Sequence, residues 1–246
     1  MIGLKGKSVI VTGGASGIGK ATAKRFLAEG SNVIILDKNA AGNERALTEL
    51  PGLVAALTAD VSSHESVAQA FSEIDKHFPA IDILINNAGI SLRHEGFKSI
   101  EPAQWQQVIN TNLNGIFYVA REAVRRMASG VILNMSSVNG LAAFPHYADY
   151  NASKAAVLAL SRTMAVELAP AIRVNALCPG AVMTPMQLAE YTEEMFREVN
   201  DNIPLGRHAD PEEIASFFAF LASDEARFIT GHHYIIDGGE LAKATA

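Results

Sequence analysis

Short runs of apolar residues alternate along the chain with longer amphipathic stretches. Seven runs are apolar at almost every position, and they cover residues 9–11, 33–36, 54–57, 83–85, 131–135, 174–177 and 234–236. Continuous apolar runs are typical of parallel strands that are buried on both faces. Amphipathic stretches between such strands predict helices that cover the sheet. The pattern therefore predicts one α/β domain over residues 1–246, with a doubly wound, parallel, seven-stranded sheet and helices on both faces.

Sequence signals mark the starts of three helices between these strands. A helix over residues 17–29 follows the first strand. Ser62 and Glu65 have the spacing of a capping box, which predicts that a second helix begins there. Asp210 precedes a proline and two acidic residues, and this arrangement predicts the start of a third helix.

The least regular part of the sequence is residues 184–207, which are polar and contain two prolines. The segment is too long for a simple connection, and segments of this kind are often binding loops or lids. Its methionine and aromatic residues could form an adaptable, partly apolar cover, although helix-spaced Met and Phe are as often core residues. We therefore predict a substrate lid over residues 184–207 within the single domain.

Composition and charge argue against several kinds of partner. The 246 residues carry a formal net charge of −6 and contain no run rich in Lys or Arg, so we expect neither a nucleic-acid nor an anionic-membrane partner. No apolar run approaches the ~20 residues that span a bilayer. The N-terminal residues do not have the pattern of a signal peptide. The sequence therefore predicts a cytoplasmic protein.

Cysteine and histidine residues indicate neither a disulfide nor a metal. Cys178 is the single cysteine, which excludes an internal disulfide, and its apolar surroundings predict a small buried hydrophobic residue rather than a nucleophile. None of the seven histidines has a recognisable ligand spacing with Cys, Asp or Glu. We therefore expect no metal site.

A glycine-rich segment, Thr-Gly-Gly-Ala-Ser-Gly-Ile-Gly, runs from Thr12 to Gly19 between the first strand and the first helix. Glycines here allow the backbone to turn tightly and to approach a pyrophosphate at the helix N-terminus. Asp37 closes the next strand, 18 residues after Gly19, and its carboxylate would bind ribose hydroxyls and repel a 2′-phosphate. Residues 14–16 include no Arg or Lys to hold that phosphate, although Lys38 could soften the repulsion. The segment predicts NAD as the cofactor, with NADP less favoured.

Seven motifs, in order along the chain, resemble those of the short-chain dehydrogenase/reductase family, and the resemblance covers nearly the whole sequence. The matching segments are Thr12-Gly13-x-x-x-Gly17-x-Gly19, Asn86-Asn87-Ala88-Gly89, Asn112-Leu113-Asn114-Gly115, Ser137, Tyr150-x-x-x-Lys154, Pro179-Gly180 and Asp237-Gly238-Gly239. The resemblance implies a Rossmann-like domain and an NAD-dependent oxidoreductase that interconverts a small-molecule secondary alcohol and a ketone. The family's usual homotetramer would cover the apolar helix that follows Lys154.

The resemblance also implies which residues bind the cofactor. They are Gly13, Ser16, Gly17, Ile18 and Gly19 in the glycine-rich segment, Asp60 and Val61 at the adenine, Asn87 near the nicotinamide ribose, Val182 and Thr184 at the carboxamide, and also Asp37, Tyr150, Lys154, Pro179 and Gly180. Five further residues lie where family members line the substrate pocket, and each could equally be a solvated loop residue. They are Arg93, His94, Asn139, Phe144 and His146.

Tyr150 is the candidate general base. Alcohol oxidation needs a base for the hydroxyl proton, and a tyrosine with a pKa of about 10 is a poor base near neutrality. Lys154 lies one helical turn after Tyr150 and on the same helix face. An ammonium ~4 Å away at an effective dielectric constant of ~20 contributes about 4 kcal/mol, enough to lower the pKa of the phenol to about 7. We therefore expect Lys154 to activate Tyr150.

Two further residues complete the predicted catalytic set. Ser137, which lies 13 residues before Tyr150, would hold the substrate oxygen by a hydrogen bond. Asn112 would anchor a water that links Lys154 to bulk solvent. A Tyr-x-x-x-Lys pair alone occurs by chance on many helices, and it is the glycine-rich segment, Asp37 and the spacing of Ser137 that favour catalysis.

Two alternative functions remain open. The first is an NADPH-dependent 3-oxoacyl-thioester reductase, against which Asp37 argues. The second is a catalytically idle protein that binds a dinucleotide as a sensor or scaffold. Such proteins usually lack one of the three residues Ser137, Tyr150 and Lys154, and all three are present here.

Overall fold

Seven parallel strands form one sheet in the computed structural model, which describes residues 1–243. The strands are β1 (Ser8–Thr12), β2 (Asn32–Asp37), β3 (Ala55–Thr58), β4 (Ile83–Asn86), β5 (Gly130–Met135), β6 (Ile172–Pro179) and β7 (His233–Ile236). Their order is β3-β2-β1-β4-β5-β6-β7, and every neighbouring pair is parallel. The predicted seven-stranded sheet is confirmed, and each predicted run overlaps one strand.

Helices connect the strands and cover both faces of the sheet. They are α1 (Gly17–Ala28), α2 (Ala40–Glu49), α3 (His64–Ile74), α4 (Pro102–Ile109), α5 (Gly115–Val124), α6 (Ala148–Glu167), α7 (Pro185–Glu190), α8 (Glu193–Asn202), α9 (Pro211–Ala222) and α10 (Glu240–Lys243). Successive side chains of β1 point to opposite faces. Val9 and Val11 belong to the core that includes α1 and α9, whereas Ile10 belongs to the core that includes α3 and α5. The doubly wound, Rossmann-like arrangement is therefore confirmed.

The expectation that every strand is buried on both faces holds for the five inner strands. The side chains of β3 are half-buried or exposed, and those of β7 are mostly half-buried. Both strands lie at the edges of the sheet, where only one neighbour covers them. Position in the sheet, which a local apolar run does not encode, accounts for this difference.

The predicted start of α3 is wrong by one residue. Ser63 is the N-cap, and its Oγ accepts a hydrogen bond from the backbone N–H of Ser66 at 3.2 Å. Ser62 instead donates its own N–H and its hydroxyl to the Oδ1 of Asp60, at 2.9 and 2.7 Å. The carboxylate of Asp60 thus engages Ser62 in the preceding turn, and the cap moves to the next serine.

The predicted start of α9 is confirmed. Asp210 is its N-cap, Pro211 is its first residue, and the backbone N–H of Asp210 donates to the Oε2 of Glu213 at 2.8 Å. Proline is tolerated at this position because the first N–H groups of a helix have no partner within the helix. No helix within residues 1–243 is both long and apolar enough to cross a membrane.

Residues 184–207 form two short helices rather than an irregular loop. Thr184 caps α7 by accepting a hydrogen bond from the N–H of Gln187 at 3.4 Å, and Thr192 caps α8 by accepting one from Met195 at 3.3 Å. Neither helix contains a fully buried residue. The segment follows β6, so it stands above the carboxyl ends of the strands.

Candidate active site

A cavity of about 530 Å³ lies at the carboxyl ends of the strands. Strand β1 lies between β2 and β4, so the strand order reverses direction beside β1, and such a reversal opens a crevice where α/β proteins bind ligands. Fifteen residues predicted to bind or react line it: Gly13, Ser16, Gly17, Ile18, Asp37, Asp60, Val61, Asn87, Ser137, Tyr150, Lys154, Pro179, Gly180, Val182 and Thr184. Among the predicted catalytic and cofactor-binding residues, only Gly19 and Asn112 do not line it.

The glycine-rich turn forms one end of the cavity and is held by Asn87 and Thr12. The side-chain amide of Asn87 donates to the carbonyls of Thr12 and Gly13 at 2.9 and 3.3 Å, and the Oγ1 of Thr12 accepts the N–H of Asn87 at 3.0 Å. Gly13 has φ +64, a conformation that glycine adopts at little cost. Ser16 precedes α1 without capping it by its side chain. The first N–H groups of α1 therefore suit an anion such as a pyrophosphate.

Gly19 lies behind this turn rather than on the cavity wall. A Cβ at Gly19 would overlap the carbonyl oxygen of Gly13 and the side-chain amide of Asn87. The residue therefore has a packing role, because it allows α1 to approach the turn closely. Its predicted contact with the cofactor stays a prediction.

Asp37 lines the cavity beside the glycine-rich turn. Its Oδ2 accepts a hydrogen bond from the N–H of Ala15 at 3.1 Å, and its Oδ1 accepts one from Asn39 at 3.0 Å. These bonds fix the carboxylate beside the glycine-rich turn. Asp60 and Val61 line the same part of the cavity, so the residues predicted for the adenine and its ribose lie together.

The predicted catalytic pair lies in the first turns of α6. Tyr150 is half-buried on the cavity wall, and Lys154 is 2% exposed. The Nζ of Lys154 donates to the carbonyl of Met135 at 2.9 Å and lies 5.4 Å from the centre of the Tyr150 ring. Ser137, in the loop after β5, faces the same cavity. The strand end and the helix thus bring three predicted catalytic residues to one place.

Burial dominates the electrostatics of this pair. It raises the pKa of Tyr150 to about 12, and a hydrogen bond with Ser137 opposes the shift. Burial also lowers the pKa of Lys154 to about 8. The pKa of Tyr150 is thus shifted upward, whereas the sequence analysis expected Lys154 to lower it. The physical reason is that the ammonium contacts the Met135 carbonyl and the face of the ring, and these contacts do not offset desolvation of the phenolate.

Asn112 braces the wall of the cavity from behind. It is fully buried, its Oδ1 accepts the N–H of Ile90 at 2.8 Å, and its Nδ2 donates to the Ile90 carbonyl and to the hydroxyl of Ser153 at 2.9 and 3.1 Å. It lies in a wide helical turn between α4 and α5 in which the N–H of Gly115 bonds to the carbonyl of Asn110. Its role in a water relay remains a prediction.

Two of the five substrate-pocket candidates line the cavity, and three do not. Asn139 and Phe144 do. Arg93 is exposed, and the ring of His94 is buried against Asp149. His146 contacts the backbone carbonyl of His94 at 3.0 Å. Tertiary hydrogen bonds between the two loops, which spacing along the chain does not reveal, direct both histidines away from the cavity.

Two acidic residues that the sequence analysis missed line the cavity. Glu190 ends α7 and Glu240 begins α10. Burial raises the pKa of both carboxyl groups. The available signal was an acid between apolar neighbours in the predicted lid, in the sequence Leu188-Ala189-Glu190-Tyr191. Within residues 1–243, no group of three or more His, Cys, Asp or Glu side chains is arranged to hold a metal ion.

The residues present fit a nicotinamide dinucleotide. Glycines lie on the wall at the turn and at both strand ends, and a Cβ at Gly180 would lie 2.9 Å from Asp237, whereas one at Gly89 would lie 3.2 Å from the Oδ1 of Asn112. A larger residue at Gly180 would therefore overlap its protein neighbours, so this glycine lets the ends of β6 and β7 pack closely beside the cavity. The start of α1, which suits an anion, the fixed Asp37 carboxylate and Tyr150 all line this same cavity.

Comparisons with known proteins agree with this geometry. The family model described as enoyl-(acyl carrier protein) reductase matches residues 13–240. The 3beta-hydroxysteroid dehydrogenase 1 of Eggerthella lenta is 43% identical, over 96% of this chain and 94% of its own length. A 3-oxoacyl-(acyl-carrier-protein) reductase of Thermotoga maritima is 41% identical, over 96% of this chain and 98% of its own.

A solved structure extends the likeness to three dimensions. The 3-ketoacyl-(acyl-carrier-protein) reductase of Brucella melitensis, complexed with NADH, has a TM-score of 0.92 and 36% identity, covering 96% of this chain and 99% of that one. Dehydrogenases of glycerol, meso-2,3-butanediol and galactitol are also similar, at 36% to 39% identity. The chain therefore belongs to the short-chain dehydrogenase/reductase family, whose dehydrogenases bind a nicotinamide dinucleotide.

Proposed function

We propose that this protein oxidises a secondary alcohol to a ketone, and catalyses the reverse reaction, with NAD(H) as its preferred cofactor and Tyr150 as its general base. That the chain is an oxidoreductase of CH–OH donors follows from its family and relatives. The observation that carries the proposed site is the meeting of Ser137, Tyr150 and Lys154 in the cavity that also contains the glycine-rich turn.

The proposed reaction divides the alcohol's two hydrogens between the cofactor and the protein. Oxidation removes a hydride from the carbon and a proton from the oxygen, and the bound nicotinamide supplies the hydride acceptor. Tyr150, as the phenolate, takes the hydroxyl proton, and the carbonyl forms. The Ser137 hydroxyl donates a hydrogen bond that holds the substrate oxygen. In reduction the phenol returns the proton to the carbonyl oxygen.

Lys154 has two proposed tasks in this site. Its buried ammonium favours the phenolate of Tyr150 over the neutral phenol, because opposite charges attract more strongly away from bulk water. It lines the same cavity as the glycine-rich turn, so it would also hold a ribose hydroxyl of the cofactor. Asn112 is proposed to anchor a water that connects this lysine to solvent.

The preference for NAD rests on Asp37. Its carboxylate is fixed by two backbone N–H groups, so it cannot turn away from a 2′-phosphate without losing both bonds. A fixed negative charge favours ribose hydroxyls, which donate, over a phosphate, which is itself negative. Lys38 also lines the cavity, and within residues 1–243 it forms no ion pair with Asp37.

The lid and the assembly remain proposals. Residues 184–207 contribute Thr184, Met186 and Tyr191 to the cavity wall, which supports a substrate cover. On α6, Ala152, Ala155 and Ala159 are exposed along one face, and beyond the exposed Thr163 lies Val166, which is 80% exposed. An apolar row of this kind favours burial by another copy of the chain, as in the homotetramer. A cytoplasmic location is likewise a prediction of the sequence.

The second candidate is the NADPH-dependent 3-oxoacyl-thioester reductase. The similarity to the Thermotoga and Brucella reductases favours it, and Asp37 argues against its cofactor. An idle sensor is a third possibility, against which the presence of Ser137, Tyr150 and Lys154 argues.

A comparison of initial rates tests these proposals together. Oxidation of diols, polyols, sugars and hydroxysteroids is measured with NAD and with NADP, and reduction of a 3-oxoacyl thioester is measured with NADH and NADPH. We expect alcohol oxidation with NAD to be the fastest. Strong preference for NADPH and the thioester would favour the second candidate, and absence of turnover with binding of NADH would favour the sensor.

A further inference from the structure

Glu190 places a carboxyl group in the cavity that the proposed mechanism does not use. It is the last residue of α7, it is half-buried, and it lines the same cavity as Tyr150. The hydroxyl of Tyr147 donates to its Oε2 at 3.4 Å. The other oxygen, Oε1, is buried and has no hydrogen-bond partner within residues 1–243.

An unpartnered buried carboxylate oxygen favours the binding of a hydrogen-bond donor. Buried polar groups are nearly always hydrogen-bonded, and leaving one unpaired is destabilising. Burial raises the pKa of Glu190, while Ser91, Tyr147 and Arg93 act in the opposite direction. Ser91 lies near enough to have this effect, but its geometry does not satisfy Oε1. A small rotation of the Glu190 carboxylate toward the cavity would therefore let Oε1 accept a hydrogen bond from a ligand hydroxyl without breaking a protein hydrogen bond at that atom.

Glu190 interacts with groups at the reacting end of the cavity. Its charge raises the pKa of the Tyr150 phenol, so the two groups act on each other through the cavity. Tyr147, its hydrogen-bond partner, precedes α6 by one residue and lies three residues before Tyr150. A substrate whose reacting oxygen meets Tyr150 and Ser137 can thus present a second oxygen to Glu190.

We propose that Glu190 accepts a hydrogen bond from a second hydroxyl of the substrate, and that the site therefore selects neutral diols and polyols and disfavours anionic hydroxy acids. This inference rests on the proposed alcohol oxidation. A carboxylate accepts hydrogen bonds strongly from hydroxyls. The same charge repels a substrate carboxylate or phosphate in the cavity. Phe144, Met186 and Tyr191 supply the surrounding wall, which suits the carbon chain.

A purely structural role for Glu190 makes a different prediction. The bond from Tyr147 joins the lid to the start of α6, so loss of the carboxylate could loosen the lid for every substrate. In that case all alcohols would lose activity in the same proportion. Selection of a second hydroxyl instead changes the ratio between a diol and its matched mono-alcohol.

The test compares kcat/KM for three probes: 2,3-butanediol, 2-butanol and the anion 3-hydroxybutyrate. The variants are Glu190→Ala, Glu190→Gln and the control Glu194→Gln, which removes the same charge from an exposed position in the lid. We expect the unchanged protein to prefer the diol to 2-butanol by about tenfold or more, the usual effect of a hydrogen bond to a charged group. Glu190→Ala should remove that preference and leave 2-butanol within about threefold.

The isosteric Glu190→Gln variant separates charge from hydrogen bonding and guards against misfolding of the alanine variant. Its amide oxygen still accepts a hydrogen bond, so part of the diol preference should remain. Its lost charge should raise kcat/KM for 3-hydroxybutyrate by about tenfold. Glu194→Gln should change neither the diol preference nor the rate with 3-hydroxybutyrate. Equal losses for diol and mono-alcohol, or no diol preference in the unchanged protein, would overturn the inference. Absence of any alcohol oxidation with NAD or NADP would instead overturn the proposed function on which it rests.

Discussion

The ring of His94 lies 2.9 Å from the carboxylate of Asp149, and both side chains are buried. The other carboxylate oxygen of Asp149 accepts the backbone N–H of Tyr150 at 2.8 Å. This pair therefore ties the loop that follows β4 to the first turn of α6. It fixes the position of Tyr150 relative to the strand end that carries Asn87 and Gly89.

Replacement of His94 by alanine should destabilise the fold. The change leaves the Oδ2 of Asp149 buried without its partner, and such a loss costs about 1–3 kcal/mol. The free energy of unfolding, measured by denaturant titration, is the readout. His77→Ala is the matched control because His77 is exposed, and it should stay within about 0.5 kcal/mol. Equal stability of the two variants would show that the pair contributes nothing.

The sheet was predictable from sequence because strands buried on both faces need apolar residues at almost every position. All five inner strands meet that requirement, and even the edge strands β3 and β7 overlap predicted runs. The start of α3 was missed because two adjacent serines can each cap a helix. The choice between them depends on the carboxylate of Asp60, which engages Ser62.

The candidate site was predictable where its residues end strands or begin helices, because those ends meet at one edge of a parallel sheet. Gly13, Asp37, Asn87 and Ser137 all reach the cavity in this way. Gly19 and Asn112 lie behind the cavity wall. Their positions depend on the packing of α1 and on the hydrogen bonds to Ile90, which the sequence does not show. Glu190 was missed because the path of the lid is set by tertiary contacts that have no local pattern.

Replacement of Tyr150 by phenylalanine should remove turnover and leave cofactor binding intact. The ring and its packing remain, but the proton acceptor is lost, and general acid–base catalysis contributes about 10²–10⁴-fold. Steady-state rates and NADH fluorescence titration measure the two properties separately. Tyr118→Phe is the control, since Tyr118 lies on α5 away from the cavity. A Tyr150→Phe variant with full activity would exclude the proposed base.

The rate of oxidation should rise with pH. Burial raises the pKa of Tyr150 to about 12, so below that value the phenolate fraction grows about tenfold per pH unit. Reduction needs the neutral phenol, so it should not show this rise. Burial lowers the pKa of Lys154 to about 8, and the oxidation profile should flatten as its charge is lost above that pH. Profiles of kcat/KM from pH 6 to about 10 in both directions test this. An oxidation optimum at neutrality would contradict it.

Replacement of Asp37 by asparagine should relax the cofactor preference. The amide oxygen can keep one of the two backbone hydrogen bonds, while the charge that repels a 2′-phosphate disappears. We expect the Kd of NADPH to fall by about tenfold or more, with a smaller change for NADH. Fluorescence titration of both cofactors gives these values. Glu44→Gln, at an exposed acid on α2, should leave both Kd values unchanged. An unaltered NADPH affinity in the Asp37 variant would show that Asp37 does not select the cofactor.

Replacement of Gly19 by alanine should weaken both the fold and cofactor binding, although Gly19 does not line the cavity. Its new Cβ would overlap the carbonyl of Gly13 and the amide of Asn87, and backbone at that contact must move. Overpacking of this kind costs about 1–3 kcal/mol. Because the displaced carbonyl belongs to the glycine-rich turn, the affinity for NADH should fall as well. Gly96→Ala is the control, since a Cβ there meets nothing within 4 Å. Denaturant titration and NADH fluorescence should separate the variants, and a Gly19→Ala protein that matches the control in both would show that α1 can retreat from the turn freely.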